Sequence, residues 1–188
     1  MPHCAILAGP NGAGKSTAAP HLVHSVLGIA EFVNADVIAR GLAGNGTGAV
    51  AVRAGRLMLG RLHDLAAQRA DFAFETNLAS RSWAPFIRTL QKDGYVVSLS
   101  FFALPTPEAA LARVASRVLQ GGHDVEEQVV RRRFESGRRL FFELYRELVD
   151  DWRVYEGSLS PPATIAEGRR GQPPLVLRAA AWKDFEAA

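Results

Sequence analysis

Gly9-Pro10-Asn11-Gly12-Ala13-Gly14-Lys15-Ser16 lies between a short apolar run, Cys4 to Ala8, and a segment that opens a helix at Lys15. It is a G-x-x-x-x-G-K-S sequence, and a preceding strand with a following helix is the context that this motif requires. Its glycines let the backbone turn amide groups inward around a phosphate chain, and the helix adds the positive end of its dipole. Lys15 is placed to reach the β- and γ-phosphates, and the Ser16 hydroxyl to hold Mg²⁺. The implied ligands are ATP and Mg²⁺. The nucleotide-binding set is Gly9, Pro10, Asn11, Gly12, Ala13, Gly14, Lys15, Ser16 and Thr17.

Outward from this loop the chain alternates strand and helix, which predicts an α/β fold: a three-layer α/β/α sandwich with a mainly parallel sheet. The first helix runs Lys15 to Leu27 and closes at Gly28, with Pro20 demanding a local adjustment. A second strand spans Glu31 to Asn34. Residues 41–48 read as a flexible glycine-rich loop, followed by a helix from Ala49 to Ala70. A third strand, Asp71 to Phe74, ends on Glu75. A helix near Ser82 to Lys92 and a strand from Tyr95 to Leu104 come next, and then a helix from Glu108 to Gly121-Gly122. A long amphipathic helix covers Glu126 to Asp151, and Trp152 to Tyr155 reads as a fifth strand. Beyond it lie proline- and glycine-rich connections around Ala163 to Ala166, and a small terminal helix with Trp182 and Phe185.

The 188 residues predict one domain, 1–188. No apolar run approaches the ~18 residues that span a bilayer, so no membrane association and a cytoplasmic location are expected. The net charge of +3 carries no recognition motif for nucleic acid. A single cysteine, Cys4, excludes an internal disulfide and reads as a buried thiol. Lys15, Lys92 and Lys183 are the only lysines; the other basic side chains are arginines, whose planar forks hold phosphate oxygens in pairs.

Three groups of side chains carry candidate chemistry. Asp36 follows the second strand, where open parallel sheets bind ligands. It is either the base that accepts a proton from an attacking hydroxyl or the N-cap of the next helix. Glu75, Thr76 and Asn77 form a polar cluster at the end of an apolar strand, facing Mg²⁺ or an acceptor, with a solvated loop as the alternative. Arg113, Arg117, Arg131, Arg132 and Arg133 bracket Gly121-Gly122-His123, and glycine hinges flanked by arginines suit a lid over phosphates, approximately residues 117–133. Not all of them can face one way on a helix. Arg117 and Arg132 are favoured for the phosphates. His123 either touches a ligand or faces solvent.

The ordered set Ala8 to Thr17, Phe32-Val33-Asn34-Ala35-Asp36, Phe74-Glu75-Thr76-Asn77-Leu78 and Arg113 through Arg132-Arg133-Phe134 resembles the zeta toxin family of P-loop kinases, from about Cys4 to Tyr155. The resemblance implies a nucleotide-kinase-like fold with a helical lid. It also implies ATP-dependent phosphorylation of a nucleotide-sugar hydroxyl, as of UDP-N-acetylglucosamine, and an antitoxin partner. Asp36, Lys15, Arg117 and Arg132 would be catalytic. Arg113 and Arg117 would join the nucleotide set, and Asn34, Asp36, Glu75, Thr76 and Asn77 would bind substrate. In two respects the chain departs from the family: little follows the fifth strand, and Tyr155-Glu156-Gly157-Ser158 stands where close relatives have an Asp-Asn pair. Two other classes compete: an ATPase switch that moves a partner, and a module that sequesters nucleotide without turnover. The Leu-Ser-Gly-Gly-Gln-like signature of transporter ATPases is absent from the sequence.

Overall fold

The computed structural model describes residues 1–42, 48–122 and 124–187. Strand β1, His3–Ala8, is apolar on both faces and buried from Cys4 onward, as a central parallel strand must be. It pairs in parallel with β3, Phe72–Thr76, on one side and with β4, Val96–Ala103, on the other. Short β2, Glu31–Val33, joins β3, and β5, Asp151–Glu156, joins β4, both in parallel. Two further strands, β6 (Ala163–Arg169) and β7 (Leu175–Val176), extend the sheet antiparallel, giving the order β2-β3-β1-β4-β5-β6-β7.

Alternation along the strands supplies two cores. Ile6, Phe74, Leu99 and Phe101 face one layer, built from α3 (Gly48–Ala67), α4 (Trp83–Lys92), the end of the long helix and α8 (Ala179–Ala187). Leu7, Ala73 and Phe102 face the other, built from the first helix, α5 (Pro107–Leu119) and the start of α6 (Glu127–Leu140). This is the expected α/β fold, with a mainly parallel sheet between two helical layers. Cys4 is fully buried, and burial pushes its thiol well above the usual range, so it is an inert core group.

Four sequence expectations are corrected. The first helix is α-helical only over α1, Lys15–Ala19; from Pro20 to Val26 it widens into a π-helix, which accommodates the missing proline N–H. Gly41 and Leu42 are not loop but the last turn of α2, Ala35–Leu42; residues 43–47 lie outside the described residues. The long helix passes through a π turn, Phe141–Tyr145, and stops at α7, Arg146–Leu148, three residues short of Asp151. There Asp150 accepts from the Val97 amide at 2.9 Å and pulls the chain into β5. The segment after β5 is a strand pair rather than a loose connection. Gly168 is required in it, because a Cβ there would lie 2.6 Å from the Trp152 ring.

Candidate active site

Gly9, Gly12 and Gly14 all have positive φ, which lets the loop curl between β1 and α1. A Cβ on Gly9 would also collide with the Phe102 carbonyl on β4. Lys15 is buried, 6% exposed, and its Nζ donates to the carbonyls of Gly9 at 2.8 Å and Pro10 at 2.9 Å. Burial lowers its pKa, while the charges of Glu75 and Asp36 oppose that shift.

Parallel register brings the acids to this loop. Leu7 pairs with Glu75, so the β3 carboxylate lies beside the end of β1. Its Oε1 is 3.7 Å from Lys15 Nζ, and its Oε2 accepts from Ser16 Oγ at 2.7 Å and Asn34 Nδ2 at 2.8 Å. Asn34 follows β2, whose Val33 pairs with Phe74. Its Oδ1 accepts from the amides of Asp36 at 2.7 Å and Val37 at 3.3 Å. The capping role weighed for Asp36 therefore belongs to Asn34, and Asp36 sits in the first turn of α2. There its charge acts on both Lys15 and Arg133.

The neighbouring residues are engaged differently. Thr76 Oγ1 accepts from the Leu78 amide at 3.0 Å and from Trp83 Nε1 at 2.9 Å, which fixes the connection from β3 to α4. The Asn77 carbonyl packs on Gly137 of α6, where a Cβ would lie 2.5 Å from it.

Among the arginines the helix decides. Arg131 pairs with Glu108 at 2.7 Å and Glu127 at 2.8 Å, and Arg132 is exposed. Arg133, not the favoured Arg132, turns toward the loop: its Nη1 reaches Asn11 Oδ1 at 3.4 Å, and burial lowers its pKa against the pull of Asp36. The three are consecutive, so each points about 100° around the helix from the next. Arg117 lies close enough to Lys15 for its charge to disfavour the lysine's, and Gly122 packs over its stem. Arg113 donates to the carbonyls of Gly12 (3.3 Å), Gly157 (2.8 Å) and Ser158 (3.1 Å), bracing the phosphate loop against the end of β5. Gly157 was missed as a contact; a Cβ there would sit 2.5 Å from the Ala13 carbonyl, a closeness that no local sequence signal announces. His123 lies outside the described residues.

Ser16 Oγ beside a carboxylate oxygen is the hard-oxygen pairing that Mg²⁺ takes when phosphates complete its shell. Among the described residues no group of three or more His, Cys, Asp or Glu could hold a metal by itself. Nor is any described helix long and apolar enough to cross a membrane.

These features define a P-loop kinase-like α/β domain. The chain belongs to the AAA domain family (AAA_33), whose model matches residues 5–144. An uncharacterized protein of Haemophilus influenzae is 29% identical over 126 residues, covering 67% of this chain and 88% of that protein. Among solved structures, the AvrRxo1-ORF1:AvrRxo1-ORF2 complex is similar at a TM-score of 0.74 with 19% identity over 98% of this chain. This chain spans 63% of the length of that one, which has also been solved with ATP. The PezAT chromosomal toxin-antitoxin system of Streptococcus pneumoniae is similar at a TM-score of 0.70 with 14% identity, over 100% of this chain and 80% of that chain.

Proposed function

We propose that this protein is an ATP-dependent small-molecule kinase of the zeta toxin type, acting on a hydroxyl of a nucleotide-sugar such as UDP-N-acetylglucosamine. The observation that carries the reading is the convergence of Lys15, Ser16, Glu75 and Asp36 at the carboxyl ends of three adjacent strands. Asp36 accepts the proton of the acceptor hydroxyl as its oxygen attacks the γ-phosphorus. The bond from that phosphorus to the bridging oxygen breaks, and ADP leaves. Lys15 and Arg133 face the charge that spreads over the transferring group, and Arg117 closes from the lid, approximately residues 117–133. Ser16 would hold Mg²⁺, which would supply positive charge against the phosphates.

Arg113 shapes the nucleotide site by bracing the loop that cradles it. Asn77 and Glu75 border the acceptor side. The likeness to the PezAT toxin-antitoxin system supports an antitoxin partner for this chain as part of the same reading.

The test is incubation with ATP, Mg²⁺ and either UDP-N-acetylglucosamine or a metabolite extract, followed by mass spectrometry. A new phosphomonoester is expected. Release of phosphate without a phosphorylated product would instead identify an ATPase, and binding without turnover a sequestering module.

A further inference from the structure

We propose that Asn34 is a positioning residue that sets Asp36 and Glu75 with the two ends of one amide, an inference that rests on the kinase reading above. Asn34 is 6% exposed, and both its polar ends are spent inside the protein. Its oxygen accepts from the Asp36 amide at 2.7 Å and the Val37 amide at 3.3 Å, fixing the start of α2. Its nitrogen donates to Glu75 Oε2 at 2.8 Å, the oxygen that also accepts from Ser16 Oγ at 2.7 Å. The orientation follows from the partners, since only the nitrogen can face a carboxylate while the oxygen faces two N–H groups.

Few side chains can do both jobs. Serine and aspartate cap helices as well as asparagine does, but aspartate has no donor for Glu75 and serine is too short to span both. A lysine there would add a second charge beside Lys15. A neutral donor holds Glu75 without competing with Lys15, whose charge already faces it. The amide thus fixes the distance from the proton acceptor on α2 to the carboxylate and hydroxyl beside the phosphate loop. Asn34 acts through these groups and not by touching the acceptor.

Asn34→Ser keeps a capping oxygen and removes the donor to Glu75; Asn34→Ala removes both. Outer-shell partners of this kind are worth about 10–100-fold. Asn34→Ser is therefore expected to lower kcat about 10–100-fold, with KM for ATP within about threefold and melting close to wild type. Asn34→Ala should lose kcat and also melt lower. Because the effect runs through Glu75, Asn34→Ser with Glu75→Gln should be no slower, within about threefold, than Glu75→Gln alone. Wild-type kcat in Asn34→Ser, or a raised acceptor KM at unchanged kcat, overturns the proposal.

A readout without turnover keeps the two readings apart. In Glu75→Ala, the Asn34 side-chain amide protons should exchange with solvent at least about tenfold faster by NMR. Unchanged exchange sinks the positioning role whatever the reaction. Release of phosphate from ATP with no phosphorylated acceptor in the wild-type protein sinks the kinase reading alone.

Discussion

At the carboxyl ends of β1, β2 and β3 the buried contacts are polar and cross-linked, whereas beyond β4 they are aromatic and held by packing. On the first side one carboxylate, Glu75, gathers Lys15, Ser16 and Asn34. On the second, Phe101, Phe141, Phe142, Trp152, Trp182 and Phe185 form a continuous ring cluster, with Trp152 and Trp182 stacked at 5.8 Å. Polar networks in a dry setting fix geometry and lose heavily when one member goes. Aromatic packing stabilises without aiming any group. The two regions should therefore fail in separable ways, one in turnover and the other in melting.

The largest effect is expected at the phosphate loop. Lys15→Ala should reduce phosphate transfer below detection in a radiolabelled ATP assay, since neither of the other two lysines, Lys92 and Lys183, lies in the loop. Substantial remaining transfer would undo the loop assignment.

Phe185→Ala should do the reverse. Truncating a buried aromatic removes about 3–5 kcal/mol of stability, read by denaturant unfolding, while kcat at temperatures where the variant stays folded should hold. A variant that unfolds normally but turns over slowly would erase the contrast between the two sides.

Arg133→Ala should lower kcat by about 10²–10³, with a smaller change in ATP affinity, as for loss of one group that stabilises developing charge. Arg132→Ala should be near wild type, because that side chain is exposed. Equal losses in steady-state kinetics would remove the geometric choice between them.

The smallest effect is at Tyr145, whose hydroxyl donates to the Ser80 carbonyl. Burial pushes its pKa up to about 12, so the folded state keeps its proton where the unfolded chain, near 10, has lost it. The unfolded state then binds fewer protons, and this group's share of stability is present below pH 10 and falls between pH 10 and 12. Tyr145→Phe should cost about 1 kcal/mol at neutral pH and flatten that alkaline decline in melting temperature.

The parallel half of the molecule was legible because its signals are local. Gly9 to Ser16, the apolar β3 ending at Glu75, and Pro107 opening α5 each declare their role within a few residues. Asn34 entered only as a substrate-binding residue implied by the resemblance; its capping of α2 depends on how the chain turns after Val33, so the cap was weighed for Asp36 instead. Arg132 and Arg133 differ only by one step around a helix, and the Asn11 contact across 122 positions selects between them. The β6–β7 pair was hidden because β7 is only two residues long and β6 carries Gly168 opposite Trp152, a partner 16 positions away whose pairing no local pattern encodes.

Asp36→Asn tests the central claim most directly, because it keeps the side chain's size while removing the proton acceptor. Transfer of labelled γ-phosphate to the acceptor, ATP affinity and melting temperature are measured together on wild type and variant. Loss of a general base predicts a fall in turnover of about 10²–10⁴. ATP affinity and melting should barely move, since Asn34 and not Asp36 caps α2. Turnover at the wild-type rate in Asp36→Asn would contradict the assignment of Asp36 as the base.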